Sequence, residues 1–118
     1  MARTLLSADA AEALSLASVA QISEAGIVSR TLVQTPELRV VLFGFAEGQE
    51  LTEHTSTRRA LVQVLEGACD FLYAGTWQRL EAGSLLHMPP NHRHAVRAAH
   101  GPFSMLLTLG DAPAASAS

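Results

Sequence analysis

Between Gly26 and Gly110 the apolar positions fall in short runs rich in branched and aromatic residues, broken by turn residues. The runs are Ile27 to Val33, Leu38 to Ala46, Ala60 to Leu65, Cys69 to Ala74, Thr76 to Leu80, Ser84 to Met88, His94 to Ala98 and Phe103 to Leu109. Turn-forming residues separate them, among them Thr35-Pro36, Glu66-Gly67, Ala74-Gly75, Ala82-Gly83 and Pro89-Pro90-Asn91. Roughly eight strands spaced about ten residues apart predict an antiparallel all-β sandwich or barrel over residues 26–110, not parallel βαβ units. Ahead of it, Asp9 followed by Glu12 resembles a capping box, and Ala13, Leu16, Ala17, Val19, Ala20 and Ile22 give a loose apolar face. A helix is therefore expected over residues 9–24 within an N-terminal segment 1–25. The Ala/Ser/Pro tail at residues 111–118 is expected to fray.

Composition changes this picture little. Apolar residues make up 48% of the 118 positions and charged residues 16%, enough for a core and too apolar for disorder. The net charge is −3, and all eight basic residues are arginines. The only adjacent pair is Arg58-Arg59, so nucleic acid is not an expected partner. No apolar run is long enough for a membrane span. The single cysteine, Cys69, rules out an internal disulfide and suits the reducing cytoplasm, the expected location. No nucleotide or flavin loop and no nucleophile triad is present.

Candidate chemistry concentrates in two segments, Gly48 to Gly67 (GQELTEHTSTRRALVQVLEG) and Gly83 to His94 (GSLLHMPPNHRH). Each opens at a glycine and carries a histidine at a strand end. In a regular strand Glu50, Thr52, His54 and Ser56 share one face, and on the next Ala60, Val62 and Val64 share one face opposite Gln63. Histidines brought together from two strands are how an all-β protein assembles a metal site, and imidazole suits Fe, Ni, Zn, Mn or Cu.

The two segments resemble the paired motifs of the cupin superfamily, G-x5-H-x-H-x3,4-E-x6-G and G-x5-P-x-G-x2-H-x3-N. Gly48, His54 and Gly67 fall on the first; Gly83, Pro89 and His94 fall on the second, with Asn91 in place of its internal glycine. The likeness is closest to small single-domain cupins. It implies a jelly-roll barrel (a double-stranded β-helix), with a short N-terminal helical segment here. It also implies a pocket for a small organic molecule, one divalent transition metal and a homodimer; the apolar segment Ala10 to Ile22 is the expected interface of such a dimer. Ser56, Ala60 and Ala98 stand where the family has its second histidine, its glutamate and its asparagine.

Three candidate metal ligands follow: His54, His94 and, swung inward, His92. Gln63 at a bulge, Ser56 and Glu50 are candidate polar contacts. Val62, Val64, Leu86, Met88, Val96 and Met105 are expected to shape the pocket. One functional reading is a mononuclear metal enzyme of oxygenase or isomerase type. The other is a metal-free, non-enzymatic small-ligand binder, favoured by the loss of two of four usual ligands.

Overall fold

Strand β4 shows how alternation becomes architecture: Ala60, Val62 and Val64 are buried while Leu61 and Gln63 are exposed. Its inner face can be removed from water only against a second sheet, and the chain supplies one. The computed structural model describes residues 4–19 and 24–110. Nine strands follow a single helical turn: α1 (Leu16–Val19), β1 (Ile27–Gln34), β2 (Arg39–Phe45), β3 (Glu50–His54), β4 (Ala60–Glu66), β5 (Ala68–Tyr73), β6 (Thr76–Glu81), β7 (Leu85–Met88), β8 (His94–Arg97) and β9 (Phe103–Leu109).

The strands form a five-stranded sheet, β1-β2-β9-β4-β7, and a four-stranded sheet, β3-β8-β5-β6. All strand pairs are antiparallel. After the β1–β2 hairpin the chain crosses repeatedly between sheets, which gives the jelly-roll barrel the resemblance implies. The ninth strand is β3, within the segment Glu50 to Ser56 that lies outside the eight runs.

Between the sheets lies the core. Phe45 and Phe103 are fully buried and stack with ring centroids 4.6 Å apart. Val62, Val64, Phe71, Val96, Met88 and Met105 surround them. Cys69 is fully buried too, and burial, with the charge of Asp70, pushes its thiol up to about 12, so it is a packing residue. Gly67 ends the first motif at φ +77°, where an added Cβ would lie 2.5 Å from the Pro102 carbonyl oxygen. That position admits only glycine.

The helix expected over 9–24 is a single turn among the described residues; 20–23 lie outside them, as does the tail 111–118. Glu12 does not complete a capping box: its carboxylate accepts the Ser7 N–H at 2.7 Å, and Ser7 Oγ accepts the Asp9 N–H at 3.1 Å. Residues 10–13 are exposed, so no buried face repays helix nucleation there. No described helix is long and apolar enough to cross a membrane.

Candidate functional site

The two motif histidines meet because β3 is not regular. Glu50 pairs with Arg97 and Leu51 with Val96, yet His54 pairs with His94, so β3 holds one residue more than β8 over this stretch. Such a bulge places two residues opposite one and reverses the alternation beyond it. His54 therefore shares the inner face with Leu51, not with Glu50 and Thr52 as a regular strand would have it. The rings of His54 and His94 stand edge to face with centroids 4.2 Å apart, and Phe71 lies 6.1 Å from His94 on the inner side.

Each imidazole is oriented by a backbone carbonyl two residues earlier. His54 Nδ1 lies 2.7 Å from the Thr52 oxygen and His94 Nδ1 lies 2.9 Å from the His92 oxygen. A carbonyl only accepts, so both Nδ1 atoms carry the hydrogen and both neutral rings keep a lone pair on Nε2. Burial holds His94 below its ordinary value; the bond to His92 opposes this, and the nearby His54 and His92 rings reinforce it. His54 is the more exposed of the two and sits at the mouth.

Below the pair is a cavity of about 110 Å³. Val62, Met88, Val96 and Met105 line it, together with Phe43, Leu51, Phe71 and Leu107. Val64 and Leu86 are buried beside the cavity without lining it. Leu51 went unassigned because only the bulge sets it beside His54. Phe71 forms a wall because β5 pairs with β8 beneath His94.

The remaining candidates do not join the pair. His92 is not swung inward: its Nε2 accepts the Ala74 N–H at 3.1 Å, which commits its lone pair to the β5–β6 turn. Gln63 projects from the exposed face of β4, and the irregularity on that strand falls after it, between Val64 and Glu66. Glu50 is exposed, on the wrong side of the β3 bulge. Ser56 has a structural part, its Oγ accepting the Arg58 N–H at 3.1 Å and its carbonyl accepting the Asn91 N–H at 2.6 Å. That second bond ties the two motif loops together. Asn91, standing where the motif has glycine, has a left-handed backbone, φ 64°, that asparagine tolerates better than most residues.

The family's sequence model, a cupin domain, matches residues 41–109. The chain belongs to the cupin family. A conserved protein of unknown function from Streptococcus pyogenes is 29% identical over 92% of this chain and 95% of its own, with a TM-score of 0.78. A cupin superfamily protein from Desulfitobacterium hafniense is 27% identical over 85% of this chain and 91% of its own, TM-score 0.76. A cupin 2 conserved barrel domain protein from Leptotrichia buccalis is 35% identical over 83% of this chain and 47% of its own, TM-score 0.78. No curated protein matches the chain.

The donor set of this cupin does not fit a mononuclear metal. Two Nε2 atoms are available, whereas tight protein sites use three or four protein ligands. Ala60, 3% exposed, sets a methyl group where the family has a carboxylate, and Ser56 is engaged with Arg58. Among the described residues no three His, Cys, Asp or Glu side chains converge as a metal site.

Proposed function

We propose that this cupin binds a small molecule without a resident metal, with His54 and His94 as a hydrogen-bonding pair over an apolar cavity. The observation that carries this reading is the pair itself: both Nδ1 atoms point to carbonyls, and both Nε2 atoms are left as acceptors above apolar walls. Two acceptors select a ligand that brings the proton. The O–H of an enol or a protonated carboxyl would satisfy one Nε2, and a second donor on the ligand, such as the N–H of a hydroxamic acid, the other. The cavity is smaller than the ~150 Å³ space that admits benzene, so it takes a branched or short aliphatic part of about four to six heavy atoms. A metal-dependent oxygenase or isomerase would need a third donor, and no candidate residue supplies one.

The test combines elemental analysis and ligand binding. Tag-free protein purified without chelator should hold well under one equivalent of transition metal. Thermal-shift screening of short-chain enols, hydroxamic acids and carboxylic acids should find binders whose effect disappears in His54→Ala and His94→Ala. Near-stoichiometric metal, lost in both variants, would overturn the proposal in favour of the enzyme reading.

A further inference from the structure

A second cavity lies outside the barrel interior. It is a cleft of about 420 Å³ between the N-terminal segment and the β1–β2 hairpin, and it shares no lining residue with the histidine pocket. Its walls carry Arg30, Arg39, Ser29, Thr31 and Gln34, with Thr4 and Leu5 as the roof. A second bulge builds it. β1 holds an extra residue between Thr31 and Val33, and the Leu32 carbonyl accepts the Leu6 N–H at 2.7 Å. That bond pins the N-terminal segment along the edge strand and closes the cleft from above.

The cleft is electrostatically one-sided. Among the described residues, two guanidinium groups line it and no carboxylate does. Neither arginine forms an ion pair among the described residues. Among the described residues Arg39 Nε is shut off from solvent with no hydrogen-bond partner, and its Nη2 makes a long 3.5 Å contact to Thr31 Oγ1. A guanidinium partly removed from water and left underbonded gains more from a counter-ion than an exposed one. The Thr31 hydroxyl accepts from Arg39 and keeps its own hydrogen to donate. Thr4 has spent its hydrogen on the Leu6 carbonyl at 2.7 Å. Ser29 and Gln34 add further donors.

We propose that this cleft is an anion site for a phosphate-bearing small molecule, held by the guanidinium groups of Arg30 and Arg39 with Ser29, Thr31 and Gln34 as neutral donors. A phosphate group brings close to two negative charges and several acceptor oxygens, matching two arginines and several donors better than a single carboxylate does. The volume lies within the range of small-molecule sites, so room remains for an organic part beside the headgroup.

Inorganic phosphate is the probe, titrated at constant ionic strength against sodium chloride and against succinate, with amide shifts of residues 29–34 and the Tm as readouts. Phosphate should bind saturably, shift these amides and raise the Tm where chloride does not. Arg30→Gln and Arg39→Gln should each weaken it about tenfold or more. His94→Ala should leave it unchanged, which separates this site from the barrel pocket. Arg30 is exposed, so its variant keeps the test usable if Arg39→Gln impairs folding. Absence of saturable binding, an unchanged response in Arg30→Gln, or tighter binding of succinate than of phosphate would each overturn the assignment.

Discussion

At the scale of single residues, His94 links the pocket to folding. Burial lowers it from the ordinary 6.5, so the folded state binds that proton less readily than the unfolded chain does. The unfolded state therefore carries more protons as the pH falls through and below about 6.5, and stability must drop with it; above that range this contribution levels off. Asp70 acts in a lower window. Burial alone would raise its carboxyl, but the hydrogen bond and charge of His100 at 2.6 Å, then those of Arg97 at 3.4 Å, hold it below the usual 3.8. Its stabilisation persists through mildly acid pH and disappears only below about 4. Denaturant midpoints measured from pH 5 to 8 should thus fall toward pH 5 in the wild type. His94→Gln should flatten that slope while Asp70 leaves it untouched, and an unchanged slope would place the titrating group elsewhere.

At the scale of elements, two strands owe their function to one inserted residue each. The β3 bulge brings Leu51 and His54 to one face, and the β1 bulge offers Leu32 to Leu6. Deleting Glu53 tests the first. Its contact with Arg93, 3.6 Å between well-exposed side chains, contributes little. Removing one residue from a bulge restores regular pairing and leaves His54 two positions after Leu51, still facing His94. The deletion variant should fold and keep cross-peaks between the two imidazole rings. If β3 were regular instead, the same deletion would turn His54 outward and abolish them.

For the whole molecule, stability rests on the apolar layer buried between the sheets, to which the cross-strand pair Phe45 and Phe103 contributes its largest rings. Phe103 begins β9, the central strand of the five-stranded sheet, and stacks on Phe45 with both side chains fully buried. Phe103→Ala removes that contact and opens a cavity, at a cost of about 3–5 kcal/mol. Small domains are stable by roughly 5–15 kcal/mol, so the variant should lose a large part of its resistance to urea. Leu61→Ala, at an exposed position of β4, should change it by less than about 1 kcal/mol. Equal losses in the two variants would show that the stack is not a principal support.

Local pattern determined every strand but β3, because a half-buried sheet face favours branched and aromatic residues and most turns carry glycine or proline; the β3–β4 loop, residues 55–59, carries neither. Motif spacing determined the family, and with it the meeting of His54 and His94 from two strands. The loss of the usual ligands at Ser56 and Ala60 was equally legible, since a missing side chain needs no coordinates. Only the tertiary structure decided which face His54 presents: parity is counted through a strand, and one extra residue at Thr52–Glu53 reverses the count without any mark in composition. It also decided against His92, whose lone pair goes to a backbone N–H eighteen residues away. The N-terminal segment took its course from an edge carbonyl and not from helical periodicity, because a short exposed segment has too little to bury for its own pattern to prevail.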